Sequence, residues 1–200
     1  VGAGRETGSP RRRRRTLCAA GAPWPRVVGA AKLGHDGEPR RADGARLAQA
    51  LCDAPEAQYL FANSGGYGFI AQLSDLVSRN RSGKAFMALS KGERPLLPKK
   101  VGAGDTAAAI SQTGRLLVFP LAELKQMPKG RGLIVQDIGP KDEMVAVAVG
   151  DGSIFTIFGT GRGGKATEFR VGAKDMATYR GTRARKGQPL PAKLKPSGFA

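Results

Sequence analysis

The stretch Tyr59-Leu-Phe-Ala-Asn-Ser-Gly-Gly-Tyr-Gly-Phe-Ile70 decides the fold. Two short apolar runs flank Ser64-Gly65-Gly66, and a tight turn between paired strands needs glycine where φ must be positive. The design returns as Ala108-Ala-Ile-Ser-Gln-Thr-Gly-Arg-Leu-Leu-Val-Phe119, with Gly114 placed 48 residues after Gly66. A more degenerate third copy runs Val145-Ala-Val-Ala-Val-Gly-Asp-Gly-Ser-Ile-Phe-Thr-Ile157. Each copy then closes on a basic glycine loop: Arg79-Asn-Arg-Ser-Gly-Lys84, Pro128-Lys-Gly-Arg-Gly132 and Arg180-Gly-Thr-Arg-Ala-Arg-Lys-Gly187. A fixed period between about 20 and 50 residues is the mark of a propeller, solenoid or similar array.

Working outward, short strands are expected at residues 59–62, 67–71, 85–89, 107–111, 116–120, 133–138, 145–149 and 153–158, with turns of Gly, Asn, Asp and Pro between them. Ser64-Gly65-Gly66, Thr113-Gly114 and Asp151-Gly152 are the hairpin signals. Residues 73–77, 121–124 and 174–178 fall after strands and predict short helical pieces. The fold class is therefore all-β, with about three repeats of roughly four strands each, matching the blades of a closed or spiral array.

Residues 1–52 lack this pattern. They hold Arg11-Arg-Arg-Arg-Arg15, Trp24 and scattered Gly, Ala and Pro, a composition that buries too little apolar surface to offset chain entropy. A disordered solvated tail, a nucleic-acid-binding arm and a non-native segment translated out of register all fit it. The β domain is expected over residues 53–192, followed by a flexible tail at 193–200.

The charge narrows the partner. Lys and Arg outnumber Asp and Glu by 33 to 16, a net charge of +17, and such a field attracts polyanions. No segment approaches the roughly 18 apolar residues of a membrane span, so a membrane is not expected as partner. Two isolated thiols, Cys18 and Cys52, suit a reducing cytoplasm. With His35 as the one histidine, they fall short of the four ligands usual for structural zinc.

Gly159-Thr-Gly-Arg-Gly-Gly-Lys165 nearly matches two nucleotide-binding patterns. No amphipathic helix follows it, and Ala166 stands where a magnesium-binding hydroxyl is needed, so a basic hairpin loop is the expected structure. No nucleophile–base pair is readable, and no catalytic residue, metal site or cofactor is assigned to this chain. Asp75 and Glu123 hold matching repeat positions and predict structural roles. The functional set is cationic: Arg79, Arg81 and Lys84 in the first repeat; Lys125, Lys129 and Arg131 in the second; Arg180, Arg183, Arg185 and Lys186 in the third; Arg162 and Lys165 between. Recurring at one phase, these side chains predict a phosphate-contacting belt on one rim, with weak sequence specificity because no base-reading helix is visible. Duplex DNA is the expected partner, and a ribosomal-type structural RNA-binding protein is the alternative.

Tyr59–Ile70, Leu76-Val-Ser-Arg-Asn-Arg-Ser-Gly-Lys-Ala85, and Gly114-Arg-Leu-Leu-Val-Phe-Pro120 with Lys129-Gly-Arg-Gly132 resemble the C-terminal domain of the A subunit of bacterial topoisomerase IV, within the gyrase A-like family. The resemblance covers about residues 55–190 and fades beyond Gly150. It implies a β-pinwheel whose basic perimeter bends duplex DNA. It further implies a cytoplasmic, nucleoid-associated enzyme that passes one duplex through another, with magnesium and ATP used elsewhere, in the rest of the A subunit or in the ATPase B subunit. The family's catalytic tyrosine follows an arginine, whereas Tyr59, Tyr67 and Tyr179 follow Gln58, Gly66 and Thr178. The resemblance is therefore to a DNA-handling fragment that does not cleave DNA alone. Gly161-Arg-Gly-Gly-Lys-Ala166 keeps only the middle of the gyrase wrapping box, which favours the topoisomerase IV reading.

Overall fold

The computed structural model describes residues 32–33, 39–40, 51–78, 83–102, 104, 106–161, 164–191 and 194–200. Thirteen strands occur among them. Lys32–Leu33 (β1) and Pro39–Arg40 (β2) form a small antiparallel pair of their own. The remaining strands build three blades.

In the first blade, Gln58–Ala62 (β3) and Tyr67–Gln72 (β4) form a hairpin through the Asn63–Gly66 turn, where Gly66 has φ +87°. Lys99–Lys100 (β5) lies beyond β3. The second blade repeats this plan. Thr106–Ser111 (β6) and Arg115–Pro120 (β7) pair around Gly114, φ +81°, and Met144–Gly150 (β9) lies beyond β6.

The fourth strand of each blade comes from the following repeat. Leu133–Ile134 (β8) pairs with β4 of the first blade, and Gln188–Pro189 (β12) with β7 of the second. Gly132 (φ +86°) and Gly187 (φ +79°) immediately precede these two strands. A Cβ on either would collide with a carbonyl oxygen, that of Gly68 or that of Leu116. Glycine is therefore required twice over, for the left-handed backbone and for the close approach.

The third blade differs from its expected boundaries. Asp151-Gly152 is not a hairpin: β9 and Phe155–Thr160 (β10) belong to different sheets. The third hairpin is β10 with Ala166–Val171 (β11), joined by the glycine loop at Gly161 and Lys165. Alternation alone does not tell a turn between blades from a turn within one. The strand expected at 85–89 reduces to a bridge at Met87, and the third strand of the blade is supplied by residues assigned to a tail: Lys195–Phe199 (β13) pairs with β10.

Short helical pieces follow β4, β7 and β11: Leu73–Leu76 (α1), a 3-10 turn at Leu121–Glu123, and Ala173–Tyr179 (α2). Each turns two apolar side chains inward, Leu73 with Leu76, Leu121 with Leu124, and Met176 with Tyr179. The core lies between blades. Leu60, Ala62 and Ile70 meet Ala107, Leu117, Phe119 and Leu121 at the first junction. Ile110, Leu116 and Val118 meet Phe155, Ile157, Val171 and Phe199 at the second. Strands β3, β4, β6 and β7 read as apolar on both faces because both are covered, as in stacked sheets.

Candidate nucleic-acid interface

The basic loops inherit their positions from this strand exchange. Gly130 donates its N–H to the Phe86 carbonyl (2.8 Å) and accepts from Ala88 N (3.0 Å), which sets the Lys129–Arg131 loop against the segment after Lys84. The chain then runs through β8 to Val135–Asp137. There Ala184 N donates to the Val135 carbonyl and Asp137 N to the Arg185 carbonyl, both at 3.0 Å. The same parallel bridge is thus made twice, Met87 with Gly130 and Gln136 with Arg185. Segments 84–88, 129–137 and 183–187 form one strip linked by main-chain bonds, and it carries Lys84, Lys129, Arg131, Arg183, Arg185 and Lys186.

Gln126 and Arg180 hold matching places, at the bridges of Ile70 with Gln126 and of Val118 with Arg180, and Lys125 precedes the first of them. Lys165 stands apart: its carbonyl accepts from Gly161 N and Thr167 Oγ1 within the β10–β11 hairpin. Arg79, Arg81 and Arg162 lie outside the described residues, as do Arg11–Arg15, Cys18, Trp24 and His35.

The cations are not equivalent. Lys84, Lys125, Lys129, Lys165, Arg180, Arg185 and Lys186 are exposed, whereas Arg131 and Arg183 are half-buried. Arg131 donates to Glu93 Oε1 at 2.6 Å, and its guanidinium carbon lies 4.0 Å from the Tyr67 ring centroid. Glu93 is in turn fixed by Asn63 Nδ2 and Ser90 N. Arg131 is therefore already partnered and braces the first hairpin. Glu123, expected to be structural, accepts the Arg183 main-chain N–H at 2.8 Å, while the Arg183 guanidinium reaches the Ile134 carbonyl at 3.4 Å.

A cleft of about 300 Å³ opens where the third basic loop crosses the second blade. Leu117 and Tyr179 form its apolar floor, and Arg180, Arg185 and Lys186 stand around it. Three cations at one concave site concentrate positive potential and suit a polyanion backbone. Burial, with Asp175 nearby, raises the Tyr179 phenol above its ordinary pKa, so it stays neutral as a floor residue.

Gln136 is the residue that charge counting misses. It is 1% exposed, and its Nε2 donates to the carbonyls of Arg115 (3.0 Å) and Lys186 (2.9 Å). Its sequence signal is a lone amide inside the apolar run Leu133–Ile138. Among the described residues no group of three or more His, Cys, Asp and Glu side chains is placed to hold a metal, and no helix is long and apolar enough to cross a membrane.

Comparison with known proteins agrees with this geometry. The family described as the DNA gyrase C-terminal domain, a β-propeller, matches residues 58–94 and 105–151. The A subunit of DNA topoisomerase 4 from Neisseria gonorrhoeae is 38% identical over 156 residues, covering 74% of this chain and 20% of the relative. Its namesake from Escherichia coli K12 is 39% identical over 90 residues, 44% of this chain and 12% of the relative. The chain thus spans a fifth or less of these two relatives. Among solved structures, the E. coli ParC C-terminal domain superposes with a TM-score of 0.70 at 27% identity, over 79% of this chain and 68% of that one. A DNA gyrase A C-terminal domain superposes at 0.60 with 13% identity, over 74% and 49%, a likeness of fold.

Proposed function

This chain belongs to the family of DNA gyrase C-terminal β-propeller domains, and from that premise we propose that it captures and bends duplex DNA by phosphate contacts for a topoisomerase IV. The observation that carries the reading is the strip of loops 84–88, 129–137 and 183–187, in which main-chain bonds link the basic segments of three repeats. Lys84, Lys125, Lys129, Arg180, Arg185 and Lys186 are the exposed phosphate contacts. Arg79, Arg81, Arg162 and Lys165 extend the same set, and Arg131 and Arg183 hold loops in place.

In this reading the chain is the DNA-handling part of the enzyme's A subunit. Strand cleavage and ATP hydrolysis, with magnesium, belong to the rest of the A subunit or to the ATPase B subunit, in the bacterial cytoplasm at the nucleoid. The protein would then serve decatenation and supercoil relaxation without holding a cofactor of its own. Bending a 20–30 base-pair segment costs on the order of 1–6 kcal/mol, which several simultaneous phosphate contacts offset.

The test is affinity for duplex DNA against salt concentration. Six exposed cations on phosphates predict a log–log slope of about −5, with little dependence on base sequence. A flat salt dependence, or a preference for folded RNA over duplex in competition, overturns the proposal.

A further inference from the structure

The first and second blades match residue for residue at the hairpin that receives the incoming strand. Asn63 Oδ1 accepts the Tyr67 N–H at 3.1 Å, and Ser111 Oγ accepts the Arg115 N–H at 3.4 Å. Ser64 N donates to the Arg94 carbonyl and Gln112 N to the Glu143 carbonyl, so the preceding residues Glu93 and Asp142 correspond. Tyr67 faces Ile134 of β8 and Arg115 faces Pro189 of β12, so Arg131 and Lys186, each three residues earlier, correspond as well.

The chemistry at these three matched positions is opposite. In the first blade a cation, a carboxylate and a ring close on one another, with Arg131 bonded to Glu93 and stacked on Tyr67. In the second blade a second cation, Arg115, replaces the ring, and the shorter carboxylate turns into its own hairpin. Asp142 accepts from Thr113 N (3.1 Å), Thr113 Oγ1 (2.6 Å) and Glu143 N (2.9 Å). Arg115 and Lys186 are both exposed. Arg115 Nη1 reaches the Gly187 carbonyl at 3.2 Å, and the guanidinium has further N–H donors on the same fork.

The surroundings differ in the same sense. Met127 N donates to the Ile70 carbonyl as Gly181 N does to the Val118 carbonyl, both at 2.8 Å. Met127 packs against the cluster that holds Phe69, whereas their counterparts Gly181 and Leu117 line the cleft of about 300 Å³ together with Gly187. The loop from Gly181 to Gly187 holds one residue more than that from Met127 to Gly132. Within it Ala184 takes φ +63°, the one positive φ of a non-glycine among the described residues. Such backbone is uncommon and concentrates at functional sites.

We propose that the second blade is the principal grip on DNA and that Arg115 is a further phosphate contact in it, beside the cleft and Lys186. The inference rests on the reading of the chain as a duplex-binding domain and adds an order among its blades. The first blade neutralises its own arginine, while the second offers two cations, one of them a planar fork suited to phosphate oxygens.

Duplex titrations of the whole chain against salt concentration test this, each variant being read below its melting temperature. Arg115→Gln and Lys186→Gln should each lower the magnitude of the log–log slope by about 0.9, whereas Arg131→Gln should change it little. Arg115→Lys keeps the charge and should keep the slope, which separates charge from the bond to Gly187. Lys174→Gln removes an exposed charge on α2 and should leave the slope as it was. If the unchanged chain has a steep slope that Arg115→Gln lowers no more than Lys174→Gln does, this inference falls and the duplex-binding reading stands. Equal losses for Arg131→Gln and Lys186→Gln overturn the order of the blades. A flat dependence in the unchanged chain removes both readings.

Discussion

The side-chain Nε2 of Gln136 donates to the main-chain carbonyl of Lys186 at 2.9 Å, so a buried amide of one repeat fixes the exposed cationic loop of the next. The same nitrogen reaches the Arg115 carbonyl, which ties that loop to β7 as well. Gln136→Leu keeps the volume but leaves two carbonyls without this donor. It should cost about 1–3 kcal/mol of stability and weaken DNA binding by more than loss of Lys186 alone. Urea unfolding and DNA titration of Gln136→Leu beside Lys186→Ala check this; equal effects on DNA would assign Gln136 a purely structural part.

Lys129 and Arg131 are neighbours in one loop with opposite expected signatures. Lys129 is exposed, so Lys129→Ala should reduce the magnitude of the log–log salt slope by about 1 and leave the melting temperature unchanged. Arg131 is paired with Glu93 and stacked on Tyr67. Arg131→Ala should destabilise the fold by about 1–3 kcal/mol and alter the slope little. A Glu93→Gln, Arg131→Ala double-mutant cycle isolates the pair.

Much of this was legible in the sequence, and the limits have physical causes. Gly66 and Gly114 announced two hairpins because positive φ restricts the residue, and both occur where expected. The third hairpin was displaced because Asp151-Gly152 satisfies turn chemistry equally well between blades. β1, β2, β5 and β12 were missed since two-residue strands carry no alternation, β13 since it holds Pro196 and Gly198, and β11 since only Phe169 and Val171 of its six residues are large and apolar. The recurrence of basic loops was visible, but the bond from Arg131 to Glu93 was not: 38 residues separate them. Charge counting therefore grouped a braced arginine with exposed lysines.

Acid should loosen the entry to the domain first. The Asp53 carboxylate binds Lys100, the Ala54 N–H and the Tyr59 hydroxyl, in that order of influence, and these hold its pKa below the ordinary 3.8. A depressed carboxylate stabilises above its unfolded value, and that stability is lost as pH falls from about 3.8 through the folded value. Hydrogen exchange of residues 51–57 should rise in that window before the blades open. In Asp53→Asn the exchange should already be raised at neutral pH and show no such step.

Alkali probes the same contact from the other side. Burial first, then the hydrogen bond to Asp53, pushes the Tyr59 phenol to about 12. The neutral form is favoured in the fold, so this stabilisation is full below pH 10 and is lost as pH rises toward 12. Tyrosinate absorbance should show one phenol titrating near 12, and Asp53→Asn should lower that value.

Three glycines separate backbone strain from close approach. Gly83, Gly132 and Gly187 share φ near +80°, at +80°, +86° and +79°. A Cβ at position 83 meets open space, while at 132 or 187 it strikes the carbonyl of Gly68 or Leu116. Gly83→Ala should therefore cost only the left-handed penalty, about 1–2 kcal/mol. Gly132→Ala and Gly187→Ala should cost that and also force β8 or β12 off its receiving strand, which frees the basic loop just before it. Each should lower the urea midpoint more than Gly83→Ala does and weaken duplex binding in parallel. Equal midpoints for all three would show that the strand exchange contributes no stability.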